Sequence, residues 1–111
     1  MAIDPSGFSI STSDGDGRAV VTVRGELDLA TAPELETVVL GRLDAGQEVV
    51  LDLRDLQFMD SSGLRVLVTA HARAADGGPQ FAIVRASAGS EVAKILDIAG
   101  VEQQLNVLDE P

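Results

Sequence analysis

The run Val49-Val50-Leu51-Asp52-Leu53, followed shortly by Phe58-Met59-Asp60-Ser61-Ser62-Gly63-Leu64, constrains this chain more than any other stretch. A nearly unbroken apolar run of that length reads as a strand covered on both faces, the pattern of a parallel sheet. A tight turn then leads to a helix start, where Asp60 and Ser61 supply short oxygen acceptors for orphan amide groups. Gly63, lacking a Cβ, leaves room for close approach by another backbone. The outcome is an exposed serine, Ser61, at the positive end of a helix on the rim of a sheet. Such a position suits a phosphate.

The flanking segments supply the rest of a small α/β unit. Phe8, Ile10 and Thr12 alternate with serines, as in a strand with one wet face, and Ala19 to Val23 forms its partner. Between them Asp14-Gly15-Asp16-Gly17 reads as a hairpin turn. A calcium loop aligned on that turn places Val23 where a bidentate Glu is required, so the turn is solvated instead. Thr31-Ala32-Pro33-Glu34 predicts a capping box, with Leu35, Val38, Val39 and Leu43 at helical spacing behind it and Gly46 beyond the end. The second helix is expected from Ser61 to Ala75, with Leu64, Leu67, Val68 and His71 on its apolar stripe. Gln80 to Arg85 predicts another strand. Ser90 opens a third helix with Val92, Ile95, Leu96 and Ala99 on one face, and Gly100 stands at its C-terminal cap. Leu105 to Leu108 fits a short strand or a helix equally, and Asp109-Glu110-Pro111 is expected to fray. The order implies a small, mainly parallel mixed sheet of four to five strands with three to four helices packed on it. Residues 1–111 form one expected domain, long enough for a single core.

Composition removes several function classes. Eighteen acidic residues against eight basic ones give a formal charge of −10, which repels nucleic-acid phosphates and anionic membranes. No cysteine is present, so disulfides, zinc–thiolate sites and thiol catalysis are excluded. Asp4 and Pro5 stand where a leader peptide needs a basic and then an apolar segment, and no apolar run approaches membrane-spanning length. A cytoplasmic domain is the expectation.

Enzymatic readings are weak. Ser61 and Ser62 follow Met59 and Asp60, not the Gly-x-Ser of a hydrolase elbow. The only histidine, His71, is ten residues beyond Ser61, a rise of about 15 Å on a helix. It is expected to be a partly packed helix-flank residue. No phosphate-binding Gly-x-x-x-x-Gly-Lys loop exists, and Lys94 is the sole lysine. No catalytic residue, cofactor or metal is expected. A phosphoacceptor needs less: exposure, access for a kinase, and a place where added charge alters recognition. Ser61 meets these conditions, and phosphorylation would add about −1.5 to −2 charges beside Asp60. Taken alone, an Asp-Ser-Ser-Gly helix cap carries no such meaning.

Three motifs supply the context. Phe58-Met59-Asp60-Ser61-Ser62-Gly63-Leu64 resembles the signature of the anti-sigma factor antagonists, bacterial members of the STAS domain family. Gly25-Glu26-Leu27-Asp28 resembles their other hallmark, at the end of the second strand, and Leu96-Asp97-Ile98-Ala99-Gly100-Val101 is similar to their third-helix ending. The resemblance implies a STAS-like fold and a partner-switching cycle. The unmodified protein binds an anti-sigma factor that is also a serine kinase, freeing the sigma factor. The kinase then phosphorylates Ser61 and the complex separates, and a metal-dependent protein serine phosphatase restores the active form. Asp28, Asp60, Ser62, Gly63, Arg65 and Val66 are the residues expected to meet the partner or kinase. Asp28 either shapes the kinase contact or holds its loop. Val66 lies off the core stripe, as an apolar contact for the partner or as part of a second packed face. Arg65 replaces a residue that is usually small in the family. Four residues after Ser61, it is expected to pair with the phosphoserine and slow dephosphorylation. The competing reading is a STAS module that binds a ligand or nucleotide and has no cognate kinase.

Overall fold

Strand β1 (Ser9–Gly15) and strand β2 (Arg18–Leu27) form an antiparallel hairpin in this computed structural model, which describes residues 7–111 with the side chain of Glu102 excepted. The reading of the N-terminus from Asp4 and Pro5 falls outside the described residues. The hairpin loop is Asp16-Gly17, both at positive φ (52° and 77°), the geometry whose twist matches that of the strands it joins. Helix α1 (Ala32–Asp44) follows, then β3 (Glu48–Asp52), β4 (Leu56–Met59), α2 (Ser61–Ala75), β5 (Phe81–Val84), α3 (Glu91–Ile98), a single turn α4 (Val101–Gln104) and β6 (Asn106–Leu108). The sheet runs β1-β2-β3-β5-β6, with β4 also paired to β2. Every pairing except β1–β2 is parallel. The fold is therefore mixed α/β with a mainly parallel sheet, as expected, but with six strands.

One of those strands, β4, escaped the sequence reading, and β2 is longer than the Ala19–Val23 segment that marked it. The ten-residue β2 is long enough to pair twice: its first half holds β3, and Gly25 to Leu27 hold β4. Between the two, the chain turns at residues 53–55, where the Leu56 N–H donates to the Leu53 carbonyl and Arg24 pairs with Asp55. The segment taken for a tight turn is thus a turn plus a strand. A register shift at Gly25/Glu26 makes Gln57 an extra residue, so Gln57 and Phe58 are both exposed while Leu56 and Met59 are buried. The open choice at Leu105–Leu108 resolves as α4 followed by β6. The tail departs from the expected fraying: Asp109 pairs with Arg85, and the Pro111 carbonyl accepts a bond from Arg18.

Alternation along the central strands sends Val21 and Val23, Val49 and Leu51, and Phe81 and Ile83 into one core with the helices. Leu35, Val39 and Leu43 close that core from α1. On α2 the buried residues are Gly63, Val66, Leu67 and Ala70, whereas Val68 is exposed and His71 half-buried. On α3, Val92 and Leu96 are buried and Ala99 is exposed. The expected two-sided cover of β3 holds, since Val50 and Asp52 on its other face are buried as well.

Asp52 is the one carboxylate among the described residues buried to this degree, at 4% exposure. Its two oxygens accept from the Arg54 guanidinium at 2.7 to 3.2 Å and from the Arg54 amide at 3.1 Å. Burial pushes this carboxyl up, yet the Arg54 donors and the charges of Arg54 and Arg24 outweigh it and hold the group below its usual value. A depressed folded pKa means that Asp52 contributes stability above the unfolded carboxylate value of about 3.9, which is lost as pH falls through the folded value. Urea unfolding of wild type and Asp52→Asn between pH 2 and 7 should show a stability gap of about 1–3 kcal/mol at neutral pH that closes in acid. A gap independent of pH would contradict this assignment.

Candidate functional site

Two loops meet at the carboxyl end of the parallel strands, the side of such sheets where ligands gather. One follows β2 and carries Asp28; the other follows β4 and carries Asp60 and Ser61. They are joined by the Asp60 N–H, which donates to the Leu27 carbonyl at 3.2 Å. Beneath them Gly63 packs on the side chains of Leu27 and Met59. A Cβ placed there would stand 2.7 Å from Met59 Cγ and 2.9 Å from Leu27 Cδ2. Gly63 is therefore required by side-chain packing beneath the helix, a correction to the backbone approach read from the sequence.

Asp60 is the N-cap of α2: its Oδ1 accepts from the Ser62 amide at 2.8 Å, and its carbonyl accepts from the Gly63 and Leu64 amides. Ser61 takes no part in that cap, contrary to the sequence reading. It is the first helical residue and is exposed. No acidic residue lies in the first turn of α2, so the positive end of the helix dipole is offset by Asp60 alone.

Asp28 holds its own loop. Its Oδ1 accepts from the amides of Ala30 (3.0 Å) and Thr31 (3.2 Å), and its carbonyl accepts from Ala32 at 2.8 Å. Thr31 completes the latch: its hydroxyl accepts from the Asp28 amide and donates to the Glu26 carbonyl, each at 2.9 Å. The expected capping box at Thr31 and Glu34 is absent for this reason, because the hydroxyl that would cap α1 is spent on the Asp28 loop. Of the two roles open for Asp28, the geometry supports loop holding directly.

Fixing that loop leaves Leu29 at its tip, 78% exposed, with Phe58 40% exposed on β4 three residues before Ser61. Leu29 was missed because an isolated leucine in a turn has no periodic pattern; the available signal was an apolar residue inside the Asp28-x-x-Thr31 turn itself. The other expected contacts separate into two groups. Ser61 and Arg65 are exposed, and Asp28, Asp60 and Ser62 are half-buried around them. Gly63 and Val66 are buried, Val66 at 2%, so neither offers a surface to a partner. For Val66 the second packed face is the correct alternative. His71 lines a small cavity with Gly78, Phe81 and Asn106, well along α2 from Ser61.

Residues 9–110 match the STAS domain model, and the chain belongs to that family. The anti-sigma-B factor antagonist of Staphylococcus aureus is 29% identical over 101 residues, spanning 90% of this chain and 92% of that protein. The crystal structure of an anti-sigma factor antagonist from Mycobacterium paratuberculosis superposes with a TM-score of 0.82 at 25% identity, covering 97% of this chain and 91% of the other. The anti-sigma factor antagonist SpoIIAA shares the fold both in its unphosphorylated form (TM-score 0.75, 17% identity, 92% and 90% covered) and in its phosphorylated form (0.67, 18%, 92% and 93%).

Proposed function

We propose that this chain is an anti-sigma factor antagonist switched by phosphorylation of Ser61. The observation that carries the reading is the placement of Ser61: exposed on the first turn of a capped helix, after a loop bonded to the one that Asp28 locks, with Leu29 and Phe58 exposed on those same two segments. The unmodified surface offers the exposed apolar side chains of Leu29 and Phe58 and the Ser61 hydroxyl to an anti-sigma factor that is itself a serine kinase. Binding releases the sigma factor held by that protein. Transfer of a phosphoryl group to Ser61 adds about −1.5 to −2 charges next to Asp60 and opposite the partner. The helix start tolerates that charge within the domain, so the surface changes without unfolding. A metal-dependent serine phosphatase reverses the step, and the whole cycle runs in the cytoplasm.

The antagonist names of the Staphylococcus and Mycobacterium relatives support this reading. The protein acts by binding and has no turnover of its own. Affinity capture with the unmodified chain from lysate of its own host tests the first half of the cycle. The captured protein should bind ATP and, separately, a sigma factor. Capture only of proteins lacking both properties would contradict it.

A further inference from the structure

Pairing of the lysine and arginine side chains is nearly complete among the described residues, with a single exception. The chain has eight basic side chains, and seven of them meet a carboxylate: Arg18 with Glu48, Arg24 with Asp55, Arg42 with Asp14, Arg54 with Asp52, Arg73 with Asp44, Arg85 with Asp109, and Lys94 with Glu91. Among the described residues Arg65 alone has no such partner, although acidic groups outnumber basic ones by eighteen to eight. It is exposed on α2, four residues after Ser61.

We propose that Arg65 is the positioning residue for phosphorylated Ser61, pairing with the phosphate and prolonging the switched-off state. The inference rests on the reading of Ser61 as phosphoacceptor and adds what holds the modification. Helical side chains at i and i+4 are neighbours, and they lean toward the helix N-terminus, so Arg65 leans toward Ser61. An anion preceding its cation by four residues is also the better orientation of such a pair. Before modification this guanidinium stands near the positive end of α2, whose first turn holds no acid, and it gains nothing from the helix dipole. After modification the same position gives a charge-assisted, two-pronged contact to phosphate oxygens, the geometry for which arginine is suited. Dephosphorylation has water displace the serine oxygen from phosphorus, returning the Ser61 hydroxyl and inorganic phosphate. Oxygens held by Arg65 are withheld from the phosphatase's metal ions, which must bind them before water can attack the phosphorus.

The test uses full chains carrying phosphoserine installed at position 61 during translation, so it needs no kinase. Phosphorus NMR titration should give a second phosphate pKa about half a unit lower in wild type than in Arg65→Gln, a threefold difference in the dianion ratio near that pH. Arg65→Lys should fall between them, and Arg73→Gln, whose arginine already pairs with Asp44, should match wild type. A manganese-dependent serine phosphatase should release phosphate about threefold faster from Arg65→Gln, in proportion to the lost contact. Equal pKa values in wild type and Arg65→Gln would overturn the pairing, and equal release rates would overturn the longer lifetime. A host kinase that leaves Ser61 untouched would instead overturn the functional reading, a result that this titration does not depend on.

Discussion

Gly25→Ala should unfold this protein more readily than any other single methyl group added to it. Gly25 has φ +87°, and a Cβ there would lie 2.6 Å from Gly7 C, Gly7 O and Phe8 N. All three are backbone atoms, so no side-chain rotation relieves the overlap. The chain must either strain Gly25 in a conformation that alanine resists or push the Gly7–Phe8 segment away, exposing the buried Phe8 ring. Strain and overpacking together should cost about 2–5 kcal/mol, lowering Tm by about 10 °C or more. Gly41→Ala is the matched control. Gly41 sits inside α1 with nothing within 4 Å of its would-be Cβ, so alanine there should stabilise by about 0.5–1 kcal/mol. Opposite signs in the two melting curves are the expected result. A Gly25→Ala protein as stable as wild type would mean that β2 and the Gly7–Phe8 backbone are not held together as described.

The second large effect is on binding. Ser61→Asp should weaken capture of the anti-sigma factor by about 100-fold or more, because juxtaposed like charges at an interface cost several kcal/mol. The substitution leaves the fold alone: Ser61 is exposed, makes no cap bond, and an acid in the first turn of a helix is favoured by its dipole. Ser61→Ala should bind as wild type does, since its methyl group removes nothing that the domain uses. Isothermal titration against the captured partner separates these cases. Equal affinities for wild type and Ser61→Asp at matched melting temperatures would mean that the partner does not cover the start of α2.

How far the sequence revealed the structure differs from element to element, for physical reasons. The limits of α2 were legible because Asp60 is a strong cap, apolar spacing persists to the last turn, and Gly77-Gly78-Pro79 cannot continue it. Its buried face was legible only in part: Leu67 is buried and Leu64 packs on the core as expected, but Val68 is exposed. The expected stripe favoured Leu64 and Val68 for their size, but α2 approaches the sheet through Gly63 and Ala70, and close approach selects small residues over large ones. That same rotation carries Val66 inward and Val68 out. Strand β4 was hidden because its bulge breaks the two-residue period by which short strands are recognised. The exposed Ser61, the Asp60 cap before it and the neighbouring Arg65 were visible, because each follows from sequence-local geometry on one helix. The Asp28–Thr31 latch is local too, but Thr31-Ala32-Pro33-Glu34 reads equally as a capping box, and the single Leu29 in the turn has no period to mark it as exposed.

The reading as a whole stands on one covalent event. Intact-mass measurement of the protein after incubation with ATP and lysate of its own host, beside Ser61→Ala, tests it most directly. One added phosphate on wild type and none on Ser61→Ala is the expected result. An unmodified wild-type chain, in a lysate where a control serine-kinase substrate is phosphorylated, would contradict the switch and leave a STAS domain that works without it.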